Sequence, residues 1–365
     1  MKFVHFADLH LDTQFQWADV RIARKRRQAL RDTLRQILDL AADVRADAVL
    51  CAGDLYEQER FSPDTLEFLR GAFDRVHPLP IYVAPGNHDW FGPQSLYQHV
   101  KWSPNVHLFK ADRLEPVTLI DGLTLWGAAH RAPANTNGFL DGFKVDRSGV
   151  HIALFHGSER GSLVLQGQGK APHAPFDAEQ VSESGIHHAF VGHYHNPQDA
   201  ESYTYPGNPD PLAFGETGEH AAVIATVDDT GAVTRERHPV AQSQVHDLTV
   251  DVTGCTSNQD VRDRIVACLA GLTGVARVTL EGELAPQVEL QLHDLAGVAP
   301  RLDAVVPRVG AMQASYDFDA IAEEPTVRGQ FVKDVRASDL SHDLKRRVLT
   351  TGLRALSGRK DLEVR

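Results

Sequence analysis

Cysteine is scarce in this chain of 365 residues: Cys51, Cys255 and Cys268 stand far apart and form no CxxC pair. That excludes a disulfide framework and points to a reducing compartment. Long apolar runs are missing too, and no stretch is apolar enough to span a bilayer. Met1 to Ala7 runs directly into a strand, without a charged n-region and a long apolar h-region, so the expected setting is soluble and cytoplasmic, with no membrane. Positive charge is in deficit, with 37 Lys+Arg against 49 Asp+Glu and a net charge of -12. Bulk charge therefore cannot hold this protein on nucleic acid, although a local basic groove remains open. No Gly-x4-Gly-Lys-Ser/Thr sequence occurs, so any use of ATP must come from a partner. Internal repeats and low-complexity tracts are absent as well. What is present is ample for a core: hydrophobic residues make up 42%, and the length suits about two domains.

Five short polar stretches each follow a strand-like run. The run Phe3 to Ala7 delivers Asp8-Leu9-His10, a carboxylate and an imidazole two residues apart that point the same way from an extended backbone. Ala48 to Ala52 delivers Gly53-Asp54, whose carboxylate offers two oxygens able to bridge cations roughly 3.5–4 Å apart. Ile81-Tyr82-Val83 delivers Ala84-Pro85-Gly86-Asn87-His88-Asp89, where Gly86 permits a tight turn. Val150 to Phe155 delivers His156-Gly157, and Ala189-Phe190-Val191 delivers Gly192-His193-Tyr194-His195. Each alone reads as a polar turn. Together, at strand ends where scaffolds present chemistry, they spell a dinuclear metal site. Asp12, Thr13, His151, His187 and His188 read as structural or surface residues.

Helical periodicity over residues 21–45 and about Pro63 to Val76 alternates with the first three strands, which predicts parallel pairing with right-handed crossovers. Sites in such sheets lie beyond the carboxyl ends of the strands. The first helix is basic through Arg21, Arg24, Lys25, Arg26, Arg27, Arg31 and Arg35, which fits either a solvated face or phosphate contacts at the rim of the site. Short strands follow at residues 106–109, 117–120 and 123–126, then a hairpin at 221–227 and 233–238. A boundary near Ala241 to Gln244 precedes a βαβ pattern at residues 248–280, which opens a small α+β domain ending near Ser315. An amphipathic helix, about Leu340 to Leu356, lies in the tail.

Asp8-x-His10, Gly53-Asp54, Gly86-Asn87-His88-Asp89, His156-Gly157 and Gly192-His193-x-His195 resemble the five motifs of the calcineurin-like metallophosphoesterases. The flanks Asp8 to Asp12, Tyr205 to Pro209 and Phe214-Gly215-Glu216 resemble the DNA-repair nuclease branch of the SbcD or Mre-eleven type. Within it, Gly329 to Val332 is similar to a stretch of the bacterial YhaO-like subgroup. The resemblance implies a mixed α/β (α+β) fold: a four-layer metallophosphoesterase β-sandwich flanked by helices at residues 1–240, and a small α+β capping domain at 245–316. A tail at 317–365 would dock an SbcC-type (YhaN-like) ABC ATPase with a coiled coil, although packing back on its own chain fits the pattern equally. One divalent ion would take Asp8, His10, Asp54 and His195, and a second Asp54, Asn87, His156 and His193, a mixed set suited to Mn²⁺ with Fe²⁺, Co²⁺ or Zn²⁺ also open. The resemblance makes a bridging hydroxide the nucleophile. It also has His88 stabilise the phosphoryl oxygens and protonate the leaving oxygen, and Asp89 orient His88 or a ligand. Glu57 departs from the archaeal and eukaryotic branch, which has histidine there.

Three readings follow. The first is a Mn²⁺-dependent DNA exonuclease and single-strand endonuclease working as a homodimer with the ATPase in DNA repair. The others are a small-nucleotide phosphodiesterase and a non-catalytic subunit that binds DNA ends.

Overall fold

The computed structural model describes residues 1–165, 172–216, 218–286, 288 and 290–357. The chain divides into two compact units, Met1–Gln244 and Val245–Arg365.

The first unit opens with β1 (Lys2–Phe6), α1 (Val20–Asp43), β2 (Ala48–Cys51), α2 (Pro63–Arg75) and β3 (Ile81–Val83). α1 forms because Leu30, Leu34, Ile37, Leu38 and Ala41 recur on one buried face, while the Asp19 side chain caps the Ile22 N–H at 2.8 Å. α2 starts at Pro63 behind the capping Ser62, where a missing N–H costs nothing. A one-turn α3 (Leu96–His99) leads to β4 (Val106–Leu108). Then come β5 (Glu115–Ile120), β6 (Leu123–Gly127), β7 (Val150–His156), α4 (Ala178–Glu183), β8 (His188–Gly192), β9 (Gln198–Asp199) and β10 (Tyr203–Tyr205). The hairpin of β11 (Ala221–Val227) and β12 (Val233–Pro239) completes the unit.

Among the described residues these strands form two six-stranded sheets, ordered β12-β11-β1-β2-β3-β4 and β5-β6-β7-β8-β10-β9. β1, β2, β3 and β4 are mutually parallel, as the strand-helix alternation predicts, and β1 takes β11 antiparallel on its other side. Three apolar clusters give four layers. Leu30, Leu34, Ile37 and Phe73 of the helices pack on Val4, Phe6 and Val49 of the first sheet. The opposite face of that sheet, with Phe3, Leu50 and Val223, meets Leu125, Ile152, Leu154 and Phe190 of the second. Ala153, Phe155 and Val191 on the far side of the second sheet are covered by Val181 of α4 together with Phe139 and Phe176 from the loops before it.

The second unit begins with the expected βαβ, β13 (Val245–Asp251), α5 (Asn258–Cys268) and β14 (Val275–Leu284), and continues through α6 (Leu292–Leu295) to β15 (Ala304–Ala314). The three strands form one parallel sheet with β14 in the centre. α7 (Phe318–Ala322), α8 (Val327–Ala337) and α9 (His342–Leu356) follow. Leu349 and Leu353 of α9 are buried with Ile321, Val332 and Val335, so this helix packs on its own chain through that face, while Leu344 and Leu356 stay exposed. No helix among the described residues is long and apolar enough to cross a membrane.

Candidate metal centre

Parallel register aligns the strand ends and thereby gathers the polar loops. Phe6 lies beside Cys51, Cys51 beside Val83, and His156 beside Gly192. Beyond the strands the loops continue to hydrogen bond: the Asp8 N–H donates to Gly53 O (3.0 Å) and the His10 N–H to Asp54 O (2.9 Å). Asp8, His10 and Asp54 adopt φ of 56°, 50° and 51°, and His193 adopts 118°. Left-handed backbone at four non-glycine residues costs of order 1–3 kcal/mol each and persists only where surrounding contacts impose it. Gly86 is required by closeness. A Cβ there would stand 2.3 Å from Asp54 Oδ1 and 2.9 Å from His156 Cγ.

The loops converge on a buried set of nitrogens and oxygens. Asp8, His10, Asp54, Asn87 and His156 are all buried. The Asp8 carboxylate accepts the His193 N–H at 3.0 Å, joining loops 185 residues apart. Asp54 Oδ2 lies 3.2 Å from His156 Nε2 and 3.6 Å from His10 Nε2, so this carboxylate sits between imidazoles from two sheets. Asn87 Oδ1 and His193 Nδ1 lie 3.1 and 3.2 Å from His156 Nε2. Possible ligand atoms of Asp8, His10 and His195, and again of Asp8, Asp54 and His156, gather within 4.8 Å of one another.

The tautomers suit cations. His10 Nδ1 donates to Glu57 (2.8 Å), His156 Nδ1 to the Ala52 carbonyl (2.8 Å) and His195 Nδ1 to Glu216 (2.7 Å). With one proton held on Nδ1, each ring directs Nε2 toward the centre, where loss of any second proton would free it to ligate, and a carboxylate behind an imidazole raises its basicity as a ligand. His10 Nε2 is buried and has no hydrogen-bond partner. An orphaned lone pair among carboxylates is what a divalent cation would satisfy, and the mixed set fits such ions. Burial and the neighbouring His156 hold His193 well below the usual imidazole range. His156 is also opposed by burial, yet the Asp54 charge keeps it protonated to about 9.

His88 stands apart from the expected ligands. Its side chain is half exposed, and its Nδ1 lies 3.1 Å from Glu57 Oε2. The Asp54 charge raises its pKa to about 9 against the effect of burial, with the Glu57 hydrogen bond assisting. Glu57 therefore holds His10 with one oxygen and His88 with the other. Burial would push this carboxyl up, but both bonds outweigh it and keep it at about 2. Asp89 sits elsewhere. Its buried carboxylate accepts the N–H groups of Asp54 (3.0 Å), Leu55 (2.9 Å) and Gly86 (2.6 Å) and the Tyr97 hydroxyl (2.6 Å), so it fixes the loops that carry Asp54 and Asn87. Burial and the Asp54 charge push its pKa up to about 6.

Some functional neighbours escape the sequence reading. His130 Nε2 donates to the carbonyl of His156 (2.8 Å) and its Nδ1 accepts from Thr136 (2.9 Å), which locks the loop bearing a candidate ligand. It follows β6 by three residues, so the same strand-end rule would have found it. Tyr97 carries no local signal at all. Of the residues read as structural, Asp12 accepts from the Thr65 hydroxyl (2.6 Å) and the Ser62 N–H (3.1 Å) at the start of α2. His188 bonds Thr204 (2.9 Å) inside the second sheet.

Above the centre opens a cleft of about 1000 Å³, lined by His10, Asp54, His88 and His195 and walled by Phe15, Trp17, Trp90 and Phe214. A family model described as calcineurin-like phosphoesterase matches residues 1–197. The uncharacterized metallophosphoesterase YhaO of Bacillus subtilis strain 168 is 27% identical over 267 residues, covering 69% of this chain and 64% of YhaO. The DNA double-strand break repair protein Mre11 of Methanopyrus kandleri is 25% identical over 304 residues, covering 73% of this chain and 62% of that protein. The chain thus spans under two thirds of the length of these curated relatives. Among solved structures, TT1561 of Thermus thermophilus is 13% identical with a TM-score of 0.40, over 66% of this chain and 98% of its own. Yfce, a phosphoesterase from E. coli, is 12% identical with a TM-score of 0.29, over 66% and 100%.

Proposed function

Because the chain belongs to the calcineurin-like phosphoesterases, a family that uses divalent metals, we propose that it is a Mn²⁺-dependent DNA nuclease. The observation that carries this reading is the placement of His88. A half-exposed imidazolium faces the cleft beside buried nitrogen and oxygen ligands, held from behind by Glu57. When bound, two divalent cations supply charge that polarises a phosphodiester and lowers the pKa of water. Asp8, His10, Asp54 and His195 would hold one, and Asp54, Asn87, His156 and His193 the other. The chain's own contributions follow from the geometry. Glu57 fixes the ring of His88 and keeps its proton. His88 lends positive charge to the phosphoryl oxygens and gives its Nε2 proton to the departing sugar oxygen. Asp89 and Tyr97 keep the Asp54 and Asn87 loops in place, which preorganises the ligands.

DNA as substrate rests on two supports. Mre11 of Methanopyrus kandleri, a DNA double-strand break repair protein by name, is similar over most of this chain. The cleft also has aromatic walls, including Trp17 and Phe214 with ring centroids 4.8 Å apart, on which bases can stack. Cleavage of end-labelled linear DNA with Mn²⁺, alongside a small phosphodiester, tests the reading. Wild type should cleave both, and His88→Asn should lose about 10²–10⁴-fold in rate with its metal content retained. Hydrolysis of the small ester with DNA left intact would replace the nuclease by a small-nucleotide phosphodiesterase. No turnover of either substrate by metal-loaded protein would refute catalysis.

A further inference from the structure

A second groove, of about 1110 Å³, meets the metal cleft, and Gln14 and Arg60 line both. Its wall is the first part of α1, with Arg21, Arg24, Lys25, Arg27 and Arg31, and Arg60 faces them at the junction. In a chain of net charge -12 this is a local reversal of sign. Two of the acids in the groove are paired, Asp64 with Arg31 and Asp32 with Arg35, while Asp12 accepts from the Thr65 hydroxyl and the Ser62 N–H at the start of α2. Arg24, Arg27 and Arg60, by contrast, have side chains with no hydrogen bond or ion pair to another described residue.

The order of charges along α1 is the reverse of what helix stability favours. A helix N-terminus carries partial positive charge and prefers acidic side chains in its first turn. Here the Asp19 cap is the one acidic group at that end; the first turn itself holds none, and Arg21, Arg24, Lys25 and Arg27 follow at spacings of three and four that set like charges side by side. A merely solvated helix face gains nothing from that arrangement. A row of anions lying along the groove relieves it.

We propose that this groove carries the sugar-phosphate backbone of a polynucleotide strand into the metal cleft, with phosphates on Arg24, Arg27 and Arg60. The proposal rests on phosphodiester hydrolysis in that cleft and extends it to a substrate long enough to fill both cavities. A small nucleotide needs only the first.

Binding is measured with the full chain, a chelator present so that nothing is cleaved, and a fluorescent DNA single strand of about 20 nucleotides. Each phosphate contact adds about 0.7 to the slope of log affinity against log salt for a single strand. Arg24→Gln/Arg27→Gln/Arg60→Gln should therefore flatten that slope by about 2, and the single variants by about 0.7 each. Between about 50 and 200 mM salt, wild type should lose roughly twentyfold more affinity than the triple variant. Arg70→Gln/Arg75→Gln/Arg113→Gln removes the same charge from exposed positions outside the groove and should keep the wild-type slope. Equal flattening by both triple variants would mean bulk charge and overturn the proposal, as would failure of wild type to bind the strand. Hydrolysis of a small diester by a wild type that binds no strand would sink the track and spare the hydrolase. Groove-dependent binding with no ester hydrolysed would spare the track and sink the hydrolase.

Discussion

Glu57→Gln is the most informative single change, because one carboxylate serves two imidazoles. Oε1 accepts from His10 Nδ1 at 2.8 Å and Oε2 lies 3.1 Å from His88 Nδ1. Glutamine keeps the shape but has one accepting oxygen and one donating nitrogen. If its oxygen serves His10, its amide donates to His88 Nδ1, and the imidazolium loses its anchor. If the oxygen serves His88, His10 must carry its proton on Nε2 and can no longer ligate. A hydrogen bond to a charged group is worth about 1.5–3 kcal/mol. Since His88 is half exposed, solvent screening brings this to about 1.4 kcal/mol, one pKa unit. His88 in the metal-free variant should then titrate about one unit below its value of about 9. Because that value lies above the ordinary 6.5, the charged ring stabilises the fold fully below about 6.5, and this is lost as pH rises through about 9. In the variant the loss comes about one unit earlier. Removing the carboxylate behind His10 should also weaken cation binding about 10–100-fold. NMR titration of the His88 ring and calorimetry of Mn²⁺ binding read the two effects. A His88 that titrates as in wild type, with unchanged Mn²⁺ affinity, would refute the reasoning.

Two further outcomes follow from the same geometry. His156, protonated to about 9 in the metal-free protein, must release its proton to ligate, so Mn²⁺ affinity should rise about tenfold per pH unit for each proton displaced below that value. Calorimetry in buffers of different ionisation enthalpy counts those protons, and zero release near neutral pH contradicts the assignment. Gly86→Ala drives a Cβ to 2.3 Å from Asp54 Oδ1 and 2.8 Å from Asp54 N. It should lower stability by about 1–3 kcal/mol and displace the ligand loop. Denaturant melts with and without Mn²⁺ should show the variant losing the metal-dependent increment, and an unchanged increment would mean the loop tolerates the methyl.

The convergence of the candidate-ligand loops is legible because each follows a strand whose apolar run stands out, and because parallel strands put their carboxyl ends together. Asp8, Asp54, Asn87, His156 and His193 come from five separate stretches and meet within hydrogen-bond distance. What could not be read was the supporting shell. Glu57 looked like a departure from a histidine pattern, and only the fold shows it reaching both His10 and His88. Asp89 adjoins His88 in sequence, yet its carboxylate turns inward to backbone N–H groups, which no spacing rule reveals. Among elements, β15 was missed because Pro307 and Gly310 interrupt its run; as an edge strand it tolerates them. α8 was missed because Gly329 weakens the helical pattern, while an added Cβ would lie 2.2 Å from Glu324 O, so the close packing demands glycine.

The pairing of β1 has a consequence for how the molecule is made. Asp8 and His10 hang from a strand whose second neighbour is β11, residues 221–227, which leaves the ribosome after every candidate ligand. A nascent chain stopped at residue 197, where the family match ends, would hold all the ligands and yet leave β1 as an open sheet edge. The turns at Asp8 and His10 would keep their bonds to the Gly53–Asp54 loop, but the strand that carries them would be paired on one side only. β11 thus secures the second edge of β1 only after every candidate ligand has been made, and a cation held by these residues would sit on a strand braced from both sides only once the hairpin is in place.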